Sequence, residues 1–241
     1  TLVALACRIL AAGGHEDFTL GHVSARGGAE TVYIKRNGLG LREVTADDVL
    51  TIDLDRRKLA GDGDVHLEAV LHTEVYRLRA DVGAVIHTHP PYATALGATA
   101  ARLEMLGHDA VLFKDGLPIF EETAELITHE DQGRAVARTL GPHRAVLLRN
   151  HGVLVVGKDV PAAVFAALTL ERAAQVQAIA SSLGPLCPMA DEMAECLYPS
   201  KYRDEFIDGY WNFLVRQLRR QGLDDGMPSE VGSRQSAVGS A

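Results

Sequence analysis

The chain has little of what a secreted, membrane-spanning or nucleic-acid-binding protein needs. Its 241 residues include only three cysteines, Cys7, Cys187 and Cys196. They are odd in number and widely spaced, so they make neither a disulfide framework nor a zinc knuckle, and a reducing cytoplasm is the expected compartment. Positive charge is short as well. Lys and Arg total 24 against 32 Asp and Glu, a net charge of −8, so no basic field gathers phosphate backbones or anionic lipid, and neither nucleic acid nor a membrane is an expected partner. No apolar run approaches the roughly 18 residues of a membrane span. The opening stretch, Thr1 to Ala12, carries Arg8 and lacks a signal-peptide cleavage pattern. An initiator methionine is missing too, which implies trimming or residues ahead of Thr1.

What is there suits one α/β domain. Hydrophobic residues make up 47% of the chain, enough for a continuous core at this length, and no repeat or composition shift marks a second domain. Leu2, Leu5, Ala6, Ile9 and Leu10 recur with helical spacing and stop at Gly13-Gly14, which predicts an opening amphipathic helix. Short β-rich runs follow at His22 to Ala25, Thr31 to Lys35 and Val49 to Leu54, separated by turn residues such as Asn37-Gly38. Helical period returns from Glu68 to Arg79, and a buried β run from Val82 to Ile86 places His87 at a strand end. Pro90-Pro91 opens a helix from Tyr92 to Ala98, and another helix is predicted over Glu130 to Leu140. Ala145 to Leu148 and Val153 to Val156 read as strands flanking a turn at Arg149-Asn150-His151-Gly152. A long Ala-rich helix then ends near Leu183-Gly184. Met189 to Arg220 reads as two helices with an apolar stripe of Phe206, Tyr210, Phe213, Leu214 and Leu218, larger than one helix needs for docking within the chain. The domain is expected to span residues 1–220, with a disordered tail over 221–241.

Chemistry concentrates in a few histidines and one acid. His87-Thr88-His89 puts two imidazoles at i and i+2, on one face of a continuing strand, where both can chelate one metal. Two partly exposed loop histidines are the plainer alternative. His151 at a second strand end, and Glu68 at the start of the helix that feeds the first strand, tip the balance. Three neutral imidazoles with open coordination positions describe a catalytic metal site, not a structural one.

Several stretches, in order and at similar separations, resemble the class II aldolase/adducin family. They are Gly21-His22-Val23-Ser24-Ala25-Arg26, Leu71-His72-Thr73-Glu74-Val75-Tyr76, Asp81-Val82-Gly83-Ala84-Val85-Ile86-His87-Thr88-His89-Pro90 and Asn150-His151-Gly152-Val153. The resemblance covers about Leu2 to Gly184. It implies an α/β fold, a three-layer α/β/α sandwich with a largely antiparallel central sheet, assembled as a homotetramer with active sites at subunit boundaries. It further implies one divalent metal ion per chain, Mn2+, Zn2+ or Fe2+, held by His87, His89 and His151. Glu68, four residues before His72, is the match for the acid/base residue. Aromatic residues near the C-terminus, Tyr198, Tyr202, Tyr210 and Trp211, match the region that the family lends to a neighbouring subunit's site, with packing as their plainer role.

The departures bear on substrate. Sugar-phosphate aldolases of the family carry Gly-Asn in the first motif, Ser-Gly in the second-strand turn and Ser-Ser before the acid, a cradle of small donors for a phosphate. This chain has Gly21-His22, Asn37-Gly38 and His66-Leu67 there. A flatter or aromatic small-molecule acid without a phosphate is therefore expected, with His22, Lys35, Arg36, Asn37, His66 and His108 as candidate contacts. Lys35 or Arg36 would hold a carboxylate by charge-assisted hydrogen bonds, unless both are solvated strand-end cations. The chain resembles family members that decarboxylate hydroxylated pyridine dicarboxylates, and iron-dependent oxygenases of prenylated hydroxyphenylpyruvates, more than the aldolases. The leading reading is a metal-dependent carbon–carbon lyase, a decarboxylase of a hydroxy-aromatic or keto acid. In it the metal stabilises an enolate or carbanion equivalent and Glu68 moves the proton. A non-haem Fe(II) oxygenase is the alternative, followed by an aldolase of an unphosphorylated substrate. A non-catalytic module like adducin's head domain is disfavoured by the retained histidines and Glu68.

Overall fold

The computed structural model describes residues 1–224. Within them the strands are His22–Arg26 (β1), Thr31–Lys35 (β2), Val49–Asp53 (β3), Lys58–Ala60 (β4), Ala84–Thr88 (β5), Ile119–Phe120 (β6), Ala145–Leu148 (β7) and Gly152–Gly157 (β8). They form one sheet in the order β4-β3-β2-β1-β5-β8-β7-β6. Each pairing is antiparallel except that of β6 with β7. The helices are Leu2–Leu10 (α1), Ala69–Leu78 (α2), Pro91–Gly97 (α3), His108–Val111 (α4), Glu130–Leu140 (α5), Val160–Leu183 (α6), Asp191–Lys201 (α7) and Asp204–Arg220 (α8).

Alternation along each strand sorts the core into two layers. Val32, Ile34, Leu50, Ile52, Val85, Leu154 and Val156 face α2 and α5, while Val23, Ala84, Ile86, Leu147, Val153 and Val155 face α1, α3, α6 and α8. The expected three-layer sandwich is thus formed. The central strands β5, β7 and β8 are buried on both faces, which is why they read as continuous apolar runs, whereas β3 at the margin alternates buried Leu50 and Ile52 with partly exposed neighbours. By the same parity His87 lies on the face of Val85, and His22 and Ser24 lie opposite Val23 on β1, so all three turn toward α2. Gly133 brings α5 against that helix. A Cβ there would stand 2.8 Å from Val70 Cγ2 and 3.1 Å from its carbonyl oxygen, so close packing outweighs the helix-propensity cost of glycine, about 1 kcal/mol.

Several expectations shift. The run at Val82 begins as a turn and the strand is Ala84–Thr88, so His87 lies inside it, one residue from its end. Strands β4 and β6 and helix α4 span only 3, 2 and 4 residues, too few to show a period in sequence. On α8 the buried row is Ile207, Trp211, Val215 and Leu218, while Phe206, Tyr210 and Phe213 stay exposed. Of the tail expected to be disordered, residues 221–224 cap α8 with a turn. Leu223 packs on the core, and its carbonyl accepts a hydrogen bond from Arg8 Nη1 at 2.6 Å; residues 225–241 lie outside the described residues. Among the described residues no helix is long and apolar enough to cross a membrane.

Candidate metal centre

The antiparallel register sets His22 of β1 directly opposite His87 of β5, and β5 pairs in turn with β8, whose first residue follows His151. Asn150 takes the left-handed conformation (φ 56°) that the turn between β7 and β8 requires and that asparagine tolerates. Gly152 then leaves room for an imidazole: a Cβ there would lie 2.4 Å from His89 Cδ2 and 2.7 Å from the Thr88 carbonyl oxygen. Gly152→Ala should therefore push His89 aside and weaken metal affinity by about 10–100-fold, the range seen when ligand-orienting contacts are lost. Competition with a chelator checks this, and unchanged affinity would show that His89 is not held by this approach.

One ring nitrogen from each of His87, His89 and His151 lies within 4.8 Å of the others. Hydrogen-bond partners fix two of the tautomers. His87 Nδ1–H donates to the Val153 carbonyl at 3.0 Å, and His89 Nδ1–H donates to Asp17 Oδ2 at 3.1 Å. Both Nε2 atoms are left as lone pairs, and they stand 3.2 Å apart. Two nitrogens each about 2.0–2.1 Å from one tetrahedral ion sit about 3.3 Å apart, whereas facing lone pairs with nothing positive beside them repel. His151 adds two buried ring nitrogens without a hydrogen-bond partner among the described residues. The donor set fits a dication held by three imidazoles.

Glu68 caps the start of α2, 3% exposed. Its carboxylate oxygens are 3.6 Å from both His87 Nε2 and His151 Nε2, and Oε1 accepts the Ile127 N–H at 2.8 Å. Burial pushes its pKa up, whereas the contact with His87, the charge that His87 and His151 carry when protonated and the Ile127 N–H pull it down; with those rings neutral, the positive charge of a bound dication takes that part. It is thus ionised at neutral pH and starts as a base.

A second group adjoins the first, with the ring centroids of His22 and His87 5.0 Å apart. His22 and His66 have ring centroids 3.9 Å apart, and each has a buried Nε2 with no hydrogen-bond partner among the described residues. Behind His22 runs a buried chain: His22 Nδ1 to His72 Nε2 at 2.6 Å, His72 Nδ1 to Ser24 Oγ at 2.6 Å, and Ser24 Oγ to the Tyr76 hydroxyl at 2.8 Å. Burial first, and neighbouring imidazoles second, hold His22 and His72 far below the ordinary histidine pKa, so both are neutral. Burial likewise lowers His66 to about 4.

The remaining expected contacts divide. Lys35 leaves β2 on the other face, is fully buried, and donates to the Thr19 carbonyl at 3.2 Å. Its charge helps to lower both His22 and His66, and no carboxylate among the described residues lies in ion-pair range of it. Arg36 Nε donates to Asp48 at 2.9 Å, which neutralises its charge, and Asn37 Oδ1 accepts its own turn's Gly38 N–H, which holds that side chain in the turn. His108 belongs with α4, which packs on α6 beneath the opposite face of the sheet, beside Phe165, Tyr202 and Tyr210. The sequence reading put it near the metal because linear order does not show which face a short helix covers. Asp17 and Ile127 were missed, since neither sits in a periodic pattern. Ser24 and Tyr76 were readable: Ser24 is i+2 from His22 on a strand, and Tyr76 is i+4 from His72 on a helix.

The model of the Class II Aldolase and Adducin N-terminal domain matches residues 1–178. A Streptomyces roseochromogenus protein named 4-hydroxy-3-prenylphenylpyruvate oxygenase/4-hydroxy-3-prenylbenzoate synthase is 35% identical over 63% of this chain and 55% of its own length. This chain thus spans about half the length of that relative and of a second Streptomyces relative, of which 53% is covered. The Arthrobacter keyseri 3,4-dihydroxyphthalate decarboxylase is 32% identical over 80% of this chain and 84% of its own. An aldolase II superfamily protein from Pseudomonas syringae superposes with a TM-score of 0.84 at 26% identity, covering 92% of each chain.

Proposed function

The chain belongs to the class II aldolase and adducin family, and from that premise we propose that it is a divalent-metal-dependent carbon–carbon lyase, a decarboxylase of a phosphate-free hydroxy-aromatic or keto acid. The observation that carries this reading is the pairing of an ionised Glu68 with the three-histidine group 3.6 Å away, on a site walled by imidazoles. When bound, a dication on His87, His89 and His151 would draw electron density from a substrate oxygen and so ease departure of the neighbouring carboxyl group. Glu68 takes the proton of the adjacent hydroxyl. As the carbon–carbon bond breaks, CO2 leaves, the electron pair stays on the carbon, and Glu68 returns the proton to that carbon. The Arthrobacter relative's name supports decarboxylation, and His22 and His66 are proposed to face the acid group, with Lys35 adding its positive charge from the other face of the sheet.

A phosphate dianion needs several small convergent donors, and Leu67, 64% exposed, supplies none beside His66. We therefore expect hydroxy-aromatic and keto acids to be turned over, with kcat/KM of about 10^4 M−1 s−1 or more, when Mn2+, Zn2+ or anaerobic Fe2+ is supplied. Comparable cleavage of fuculose or ribulose phosphates would overturn the reading. The name of the Streptomyces relative favours a second one, an Fe(II) oxygenase. Oxygen consumption by the iron-loaded protein, with no CO2 released anaerobically, would establish it in place of the lyase.

We extend the proposal to a cytoplasmic homotetramer with active sites at subunit boundaries. Its support is the exposed row of Phe206, Tyr210 and Phe213, with Tyr210 stacked on Phe165 at 5.3 Å, and three free cysteines. Sedimentation should show an oligomer at micromolar concentration, and a monomer would remove any shared site.

A further inference from the structure

His22, His66 and Glu68 also offer one ligand atom each within 4.8 Å, so proximity alone describes a second metal site beside the first. Hydrogen-bond accounting separates the two groups. Tyr76 is 2% exposed, and the acceptor its hydroxyl meets is Ser24 Oγ. A buried hydroxyl that fails to donate forfeits about 1–3 kcal/mol, so the Tyr76 proton goes to Ser24. Ser24 has one proton of its own and gives it to His72 Nδ1. His72 is then the Nε2–H tautomer and donates to His22 Nδ1. His22 in turn must carry its proton on Nε2. His66 reaches the same state by another route, because its Nδ1 accepts the Glu68 backbone N–H at 3.3 Å.

We propose that the buried chain Tyr76–Ser24–His72 fixes His22 as an Nε2–H donor, and that His22 and His66 together form an anion subsite that holds a carboxylate the substrate keeps through the reaction. The two groups are complementary. The lone pairs of His87 and His89 converge on a place for a cation, whereas two N–H groups without a partner among the described residues, with the charge of buried Lys35 acting from the other face of the sheet, converge on a place for an anion. A second dication would meet N–H protons in place of lone pairs, and would add its charge to that of Lys35. The subsite adjoins the metal group, with the His22 and His87 ring centroids 5.0 Å apart, which suits a diacid whose reacting end meets the metal and whose other carboxylate is anchored beside it. The inference rests on the lyase reading for which end reacts, but not for the tautomers.

The test uses the full chain loaded with one equivalent of Zn2+ and labelled with 15N-histidine. Nuclear magnetic resonance should show His22 and His66 protonated at Nε2, and benzoate should move those two N–H resonances. Ser24→Ala breaks the chain. It should mix the His22 tautomers and weaken the benzoate contact by about 10-fold, while Zn2+ stays at one per chain and Ser24→Thr restores both, as expected for loss of an oriented hydrogen bond to an anion. Tyr76, Ser24 and His72 are positioning residues in this account, and a purely structural role would leave the His22 tautomer unmoved. Three results would overturn it: His22 protonated at Nδ1 in the wild type, binding of a second Zn2+, or benzoate that leaves both resonances in place. None of these readings needs turnover, so a chain that binds benzoate as described yet releases no CO2 from any acid sinks the lyase reading and upholds the subsite.

Discussion

Replacing His87, His89 and His151 together by alanine is expected to take the metal content from about one ion per chain to none and to abolish turnover. The three rings supply the donor nitrogens of the group, and no carboxylate replaces them: Glu68 stands 3.6 Å away and is shared with the Ile127 N–H. The fold should survive. In the metal-free state the Nε2 lone pairs of His87 and His89 oppose each other at 3.2 Å and His151 has unsatisfied buried nitrogens, so removing the rings also removes unfavourable contacts, which offsets part of the lost packing. Elemental analysis beside circular dichroism separates the outcomes. Full metal occupancy in the triple variant would mean that another group binds the ion. Loss of metal together with loss of structure would instead make the site a folding element.

How much of this was legible in the sequence depends on distance along the chain. The strands β1, β2 and β3 and the long helices were readable from composition and period, and β7 and β8, buried on both faces, from their continuous apolar runs between turn residues. So were His87 and His89, two apart on a strand, and the turn that presents His151. What the sequence could not show is register. Nothing local says that β1 lies beside β5, yet that pairing is what sets His22 against His87, and hence the anion group against the metal group. The same holds for Asp17, which orients His89 from 72 residues away, and for the Ile127 N–H, which meets Glu68 from 59 residues away. Lys35 and Arg36 are adjacent in sequence and looked equivalent. Pleating sends them to opposite faces, where one is buried with no carboxylate in ion-pair range among the described residues and the other is neutralised by Asp48. His108 failed for a related reason, since its four-residue helix gave no sign of the face it covers.

Glu68→Gln is expected to lower kcat by roughly 10²-fold or more while leaving about one metal per chain and a KM within a few-fold of wild type. The substitution conserves shape. The amide oxygen can still accept the Ile127 N–H, so the start of α2 and the loop carrying Ile127 keep their contact. What disappears is a group that, beside a bound dication and the Ile127 N–H, is ionised across the neutral range and can take a proton from a hydroxyl beside it. An amide can neither accept that proton nor return it to carbon. Glu68→Asp provides the complementary measurement: it keeps the charge but withdraws it by one methylene, so it should retain more activity than the isosteric Gln if proton transfer is the role. Should Glu68→Gln instead lose the metal, the carboxylate would be a ligand and not a proton carrier. Unchanged kcat with metal retained would move the acid/base role to another group, and the imidazoles of His22 and His66 would be the next to replace.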